Sequence, residues 1–284
     1  MATRYWEGGG TDNTDLADAT NWSGNTLPGN GDTAIIASRP STETGPFTAS
    51  ATLPASGTLT VFSVGREIIS DFSTAAGSAL TVNATTMNLN GWATYAAFNG
   101  TQTTVNVNNV AIGEDVLNLS GTITTLRILS GEGEVTVADS STATNIEMID
   151  APNVTLTVGT SVTNTSIIIN SGFITTSSNI AGTVTSEGGT LTVAGSATCA
   201  TINLHTGGAV KYNSSGTLTT LTIYGGIMDL IDSTASSVTI TNATLYEGGT
   251  IDERSGLSNV VYTNGITTRG GIIRSDAART VTVT

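Results

Sequence analysis

Short apolar strands and pairs of glycines alternate along the second half of the chain. Ile202-Asn203-Leu204, for example, is followed by Gly207-Gly208 and then by a second strand, Val210-Lys211-Tyr212. Alternation of apolar and polar positions with a period of two predicts strands with one buried face. The unit recurs every ~17 to 23 residues, which is the spacing of a solenoid repeat.

The strands form two columns that share this period. The first column contains Leu126–Ile128, Ile146–Met148, Ile167–Ile169, Val184, Ile202–Leu204, Leu221–Ile223 and Val238–Ile240, and the second contains Val135–Val137, Leu156–Val158, Phe173–Ile174, Leu191–Val193, Val210–Tyr212 and Ile227–Met228. The gaps between strands are too short for helical crossovers, so each turn of a coil would itself link parallel neighbours. We expect the glycine pairs at corners, where φ is positive or the next coil leaves no room for a Cβ.

The pattern therefore predicts an all-β fold, a single-stranded parallel β-helix (β-solenoid) of ~17–23-residue coils. An array of antiparallel sandwiches is the structural rival, but the Asn-Gly and Asp-Gly hairpin turns that it needs are scarce between these strands. Residues 1–50 are irregular and hold Trp6, Trp22 and three of the five prolines. We expect residues 1–50 to form an N-terminal cap or docking arm and residues 51–284 to form the β-helix, most regular from about residue 123.

Three motifs open the chain: Tyr5-Trp6-Glu7-Gly8-Gly9, Asn21-Trp22 and Pro28-Gly29-Asn30-Gly31-Asp32. This succession of W-x-G-G, N-W and P-G-x-G-D resembles the opening of many bacterial and phage parallel β-helix proteins, autotransporter passenger regions among them. The resemblance implies the β-helix architecture, and it suggests the structural proteins of phage particles as a functional class.

Composition narrows the classes of partner. The formal net charge is −13 and only 11% of residues are charged, which disfavours nucleic acid, because its phosphates require Lys and Arg. No apolar run approaches the ~20 residues of a membrane helix. The N-terminus has neither the basic nor the apolar region of a secretory signal, so we expect the product to remain in the cytoplasm where it is made until it joins an assembly.

Candidate chemistry is sparse. The best acid pair is Asp229 with Asp232, followed by Glu132 with Glu134, and His205 and Cys199 are each the single residue of their type. The positions just before the glycine pairs form a mixed column, not a carboxylate cluster: Glu187, Thr206, Tyr224, Glu247 and Arg269. A groove enzyme needs acids and bases brought together by neighbouring coils. We therefore predict no enzyme activity and no catalytic, cofactor-binding or metal-binding residues.

The favoured hypothesis is a virion structural protein, a capsid decoration (cement) protein that bridges and stabilises capsid subunits. Its partner would be the major capsid protein, its location the capsid surface, and its oligomeric state a homotrimer at local three-fold positions. The candidate docking residues are Tyr5, Trp6, Trp22, Arg269, Arg274 and Arg279. A phage or bacterial surface adhesin, or tail-spike-like glycan binder, is the alternative, and a polysaccharide lyase or glycosidase is disfavoured by the missing acid cluster.

Overall fold

The structure is a computed structural model that describes residues 1–10, 13–37, 46–68, 71–73, 79–92, 95–108, 116–231, 235, 237–254 and 259–275. The chain divides into two compact units, Met1–Ala143 and Thr144–Thr284. The helical content of the described residues is one 3-10 turn, Ala19–Asn21. None of their helices is long and apolar enough to cross a membrane.

The first unit contains ten strands of two to seven residues among its described residues. They are β1 Thr3–Tyr5, β2 Thr33–Ile36, β3 Leu59–Val64, β4 Leu80–Thr81, β5 Ala84–Leu89, β6 Tyr95–Asn99, β7 Thr101–Val107, β8 Val116–Leu119, β9 Thr122–Ile128 and β10 Glu132–Val137. One parallel sheet runs β1-β2-β3-β5-β7-β9. A second parallel sheet runs β4-β6-β8-β10. Successive strands along the chain from β3 onward thus alternate between two sheets, as in a coil.

The second unit repeats this scheme. Its strands are β11 Thr142–Met148 (which begins at the boundary), β12 Asn153–Val158, β13 Asn164–Ile169, β14 Phe173–Thr176, β15 Ile180–Ser186, β16 Thr190–Gly195, β17 Cys199–Leu204, β18 Ala209–Ser214, β19 Thr217–Ile223, β20 Ile227–Asp229, β21 Ser237–Tyr246, β22 Thr250–Asp252, β23 Asn259–Tyr262, β24 Ile266–Arg269 and β25 Ile272–Arg274. The first sheet runs β11-β13-β15-β17-β19-β21, and both β23 and β24 pair with β21. The second sheet runs β12-β14-β16-β18-β20-β22-β25. All of these pairings are parallel, so the predicted β-solenoid is confirmed.

The register confirms most of the predicted strand columns. Ile167 pairs with Val184, Val184 with Ile202 and Ile202 with Leu221, and these core side chains are fully buried. Each such apolar side chain contributes ~1.5–3 kcal/mol of burial free energy. The prediction is wrong at the last coil, because Leu221 pairs with Ala243 and not with a residue of Val238–Ile240. The ten-residue strand β21 carries both segments, and its weakly apolar Ala243 concealed the true partner.

Both predicted reasons for the glycine pairs occur at the corners. The first glycine of three pairs has positive φ, +92° at Gly207, +83° at Gly248 and +97° at Gly270, a conformation that glycine adopts without steric strain. The second glycine is needed for close packing of the coils. A Cβ added to Gly226 would lie 2.5 Å from the carbonyl oxygen of Gly208 on the preceding coil.

The N-terminal segment is built into the first unit's sheet and core. Strand β1 pairs with β2, and β2 pairs with β3, in parallel. The indole of Trp6 packs edge-on against Trp22 and Phe47, with ring centroids 5.4 Å apart in both pairs. Phe47 stacks on Phe72 at 4.7 Å. This aromatic series covers the core at the start of the coil series.

Candidate functional site

A column of stacked rings follows one corner of the second unit. Tyr224 lies between His205 and Tyr246, with ring centroids 4.9 Å apart on each side and interplanar angles of 18° and 15°. The guanidinium of Arg269 covers the Tyr246 ring at 5.5 Å from its centroid, within the range of a cation–π contact. The four side chains form the ring column. The faces of Tyr224 are covered by its neighbours, and the residue remains 46% exposed.

The strand register produces this column. Leu204 pairs with Ile223, and Ile223 pairs with Leu245 on the next coil. The residues directly after these three are His205, Tyr224 and Tyr246, so their side chains leave the sheet at equivalent positions one coil apart. Coils in parallel register repeat every ~4.7–4.9 Å, which is also the spacing at which aromatic rings stack.

The ring column could not be identified from the sequence spacing alone. Counting back from each glycine pair gave Thr206 and Glu247, because the number of residues between strand and glycine pair differs from coil to coil. The structure instead brings His205 and Tyr246 beside Tyr224. His205, the single histidine of the chain, is a half-buried member of the stack. The useful signal would have been the shared distance of each ring from the last core residue of its strand.

A groove of about 310 Å³ adjoins the ring column. Its lining consists of the glycine pairs and the first residues of the following strands: Gly207, Gly208, Ala209, Gly225, Gly226, Ile227, Gly248 and Thr250. Ala209 pairs with Ile227, and Ile227 pairs with Thr250, so these three side chains form one wall of the groove at consecutive coils. Tyr224 directly precedes Gly225 of the lining, so the ring column lies next to the glycine floor in the chain, although its side chains are not among the lining residues.

The groove floor contains both used and unused backbone groups. Gly208 accepts a hydrogen bond from the Ile227 N–H, and Gly226 accepts one from the Thr250 N–H, both at 3.0 Å. Gly207, Gly225 and Gly248 form no backbone hydrogen bond with the rest of the described chain. These three glycines line the groove on successive coils, and their N–H and C=O groups have no backbone partner there. None of the lining residues carries a charge.

Charged residues form a second column. They lie on the same strands as the groove wall, two positions further along each strand. Lys211 pairs with Asp229, Asp229 with Asp252, and Asp252 with Arg274 on successive coils. The Arg254 guanidinium donates to both carboxylate oxygens of Asp252, at 2.8 and 2.7 Å, and Arg274 Nη1 lies 3.6 Å away. Hydrogen bonds from Arg254 lower the pKa of Asp252 despite its burial. The ionised carboxylate is favoured, so Asp252 is poorly suited to donate a proton.

Of the two predicted acid pairs, only Glu132 with Glu134 lies wholly within the described residues. Asp232 lies outside the described residues, so its relation to Asp229 is not part of the structure. Glu132 and Glu134 lie on the same strand, β10, and their side chains are exposed. Across the described ranges, no three His, Cys, Asp or Glu side chains are grouped in a way that could hold a metal ion.

Two of the three aromatic docking candidates at the N-terminus are buried. Trp22 is fully buried, and Trp6 is 6% exposed. The indole N–H of Trp22 donates to the Leu16 carbonyl at 2.9 Å. Both indoles belong to the core and have no surface to offer a partner in this conformation. Tyr5 alone of the three aromatic candidates is on the surface, with 50% of its area exposed.

The C-terminal candidates lie on the surface. Arg269 and Arg274 are both exposed, as is Ile272, which retains 53% of its accessible area. These three residues form the C-terminal patch. Arg279 lies outside the described residues. Arginine with an exposed aliphatic side chain is a composition that favours protein–protein contact.

Fold and surface together define a parallel β-solenoid with one neutral groove and one basic, partly apolar patch in its second unit. Comparison with protein-family models, with curated proteins and with solved structures finds no match to the chain. The class of protein is therefore defined by its fold, which is compatible with a structural or an adhesin-like role.

Proposed function

We propose that the protein is a structural component of a virus particle, a decoration protein that lies on the capsid and bridges neighbouring subunits. The observation that carries this proposal is the C-terminal patch. Two exposed arginines and an exposed isoleucine occur together on a chain whose net charge is −13. A basic and partly apolar patch on an acidic protein favours one docking orientation on an acidic partner surface.

The solenoid suits a bridging role because it is stiffened from coil to coil. In the first unit the Asn106 side-chain amide donates to Asn88 at 2.9 Å, and that of Asn108 donates to Asn90 at 3.0 Å. In the second unit Asn264 donates to Asn242 at 2.7 Å. These bonds link outer side chains of neighbouring strands, in addition to the backbone ladders. A stiff element loses little conformational entropy on binding, which favours attachment.

The partner in this proposal is the major capsid protein. A decoration protein that binds the assembled shell but not free subunits stabilises the shell by mass action. A homotrimer would occupy local three-fold positions on the capsid, because its three-fold axis would coincide with that of the site. The proposal includes no catalytic step and places the protein on the virion surface.

The decisive experiment is co-sedimentation of the purified protein with capsids of the virus whose genome encodes it. We expect saturable binding at a fixed ratio and a trimeric native mass. The double variant Ile272→Asp with Arg274→Glu should lose binding by at least tenfold. Arg66→Glu is the control, because Arg66 is exposed in the first unit and the variant repeats the arginine-to-glutamate part of the charge change.

Equal binding of the patch variant and the control would refute the docking surface. Absence of wild-type binding, or a non-viral genome of origin, would refute the decoration role itself. Truncation of the N-terminal segment is unsuitable as a test, because it would remove Trp6 and Trp22 from the core.

A further inference from the structure

We propose that the groove beside the ring column binds an extended, neutral polysaccharide chain that lies along the stacking direction of the coils. The site is the lining already described, from Gly207 on one coil to Thr250 two coils later. This binding function is distinct from capsid attachment, although the two surfaces adjoin: Arg269 belongs to both the ring column and the C-terminal patch, and Ile272 pairs with Thr250 of the groove wall.

The distance between equivalent groups along the groove determines which kind of ligand can bind in register with the coils. Each coil presents the same set of groups: a ring edge, a glycine with available backbone groups, and a small or aliphatic side chain. This set recurs every ~4.7–4.9 Å. An extended peptide advances ~3.2–3.4 Å per residue and repeats its side-chain orientation after two residues, so neither of its periods matches. A sugar residue in an extended β-linked chain advances by about one coil, so each residue would meet an equivalent set.

The chemistry of the groove fits hydroxyl-rich rings. Unpaired N–H and C=O groups of Gly207, Gly225 and Gly248 can exchange hydrogen bonds with sugar hydroxyls. The Ile227 side chain, 38% exposed, offers an apolar surface to the C–H face of a sugar. Because the ring faces are covered within the column, the tyrosines contribute their edges and phenol hydroxyls. Binding sites for small ligands combine an apolar wall with a few placed polar groups in this way.

Charge excludes the anionic alternatives. The lining is uncharged, and the whole chain carries a net charge of −13. Uronic-acid polymers and nucleic acids are disfavoured, because the lining offers no cationic side chain to their carboxylates and phosphates. A neutral glycan has no such penalty, and an open groove without a charged anchor is expected to bind it with a Kd between ~10 μM and ~1 mM.

Length dependence gives the first test. Titration calorimetry with cellooligosaccharides, chitooligosaccharides and mannooligosaccharides of two to six residues should find at least one series that binds. Within that series, affinity should rise up to three or four residues and then level off, because three coils line the groove. A hexapeptide of Ser and Thr serves as the extended-peptide comparison and should not bind.

Two pairs of variants locate the binding. Ala209→Phe fills the groove from its wall and should weaken binding by at least tenfold. Thr192→Phe places the same ring on the neighbouring coil outside the groove and should leave affinity unchanged. Tyr224→Ala should weaken binding severalfold by removing the middle ring, whereas Tyr5→Ala, at a similarly exposed tyrosine of the first unit, should have no effect. Thermal unfolding of each variant shows that the fold is retained.

Three results would overturn the proposal. They are failure of all hexasaccharides to bind below ~1 mM, undiminished binding by a folded Ala209→Phe variant, and preferential binding of the peptide. Capsid attachment should persist in Ala209→Phe, so loss of glycan binding and loss of attachment can be told apart.

Discussion

Replacing Gly226 by alanine should weaken the stacking of coils at one corner of the second unit. The new Cβ would lie 2.5 Å from the carbonyl oxygen of Gly208 and 2.7 Å from that of His205. Both oxygens belong to the backbone of the preceding coil, so no side-chain rotation can relieve the overlap. The corner has to open, and the hydrogen bond from Ile227 N–H to Gly208 lengthens from 3.0 Å.

The expected loss of stability is about 2 kcal/mol. Overpacking against a fixed neighbour costs ~1–3 kcal/mol, and a weakened ladder hydrogen bond adds ~0.5–1.5 kcal/mol. Alanine reduces the entropy of the unfolded chain, which stabilises the folded state by ~0.4–1 kcal/mol. The backbone at Gly226 does not have positive φ, so conformational strain adds nothing. The balance is destabilising because steric overlap outweighs the entropy term.

Urea unfolding followed by far-ultraviolet circular dichroism would measure this loss. With a typical slope of ~1–3 kcal/mol/M, the midpoint should fall by roughly 0.7 to 2 M. Hydrogen exchange at the Ile227 amide should accelerate, since its acceptor is displaced. Gly29→Ala is the matched control, because its nearest neighbour would be Asp32 Oδ2 at 3.7 Å and its φ is not positive. A Gly226→Ala variant as stable as Gly29→Ala would refute the role of the glycine pairs in coil packing.

Three further predictions test the core and the buried titratable groups. Trp22→Ala should lower the free energy of unfolding by ~3–5 kcal/mol, measured by urea denaturation, and a loss below ~1 kcal/mol would contradict its place in the core. The lowered pKa of Asp252 means that its contribution is fully present above its ordinary pKa of 3.8 and is lost as pH falls through the folded value. Stability measured from pH 6 to pH 2 should therefore decline more steeply in the wild type than in Asp252→Asn, and parallel curves would count against the Arg254 contact. Burial raises the pKa of Cys199 to about 12, so a thiol reagent at pH 8 should label it only after denaturation, and rapid labelling of the native protein would be inconsistent with this burial.

Much of the fold could be predicted because a solenoid repeats a local pattern. The alternation in Ile202–Leu204 and Val210–Tyr212 identified strands, and the shared period identified parallel stacking. The pattern failed at β21, where Ala243 and not Val238 or Ile240 continues the core column opposite Leu221. Alanine is so weakly hydrophobic that it occurs at both core and surface positions, and the pattern cannot distinguish between them.

The candidate site was less predictable. Tyr224 and the glycine pairs were evident, but their neighbours in space were not, because a loop that is one residue longer changes which side chain stands at the corner. The burial of the N-terminal tryptophans could not be predicted for a related reason. An aromatic side chain in an irregular segment suits a docking arm as well as a cap, and only packing of Trp6 on Trp22 and Phe47 decides between them.

The sequence by itself determined the fold class, the length of the coils and the position of the corners, since each depends on residues close together in the chain. The tertiary structure decided which residues are neighbours on successive coils. These neighbours form the stack of His205, Tyr224 and Tyr246, the groove beside it and the charged column through Asp252. These neighbours are separated by a whole coil in sequence. Their alignment follows from the backbone ladder, in which a shift of one residue sends a side chain to the opposite face of the sheet.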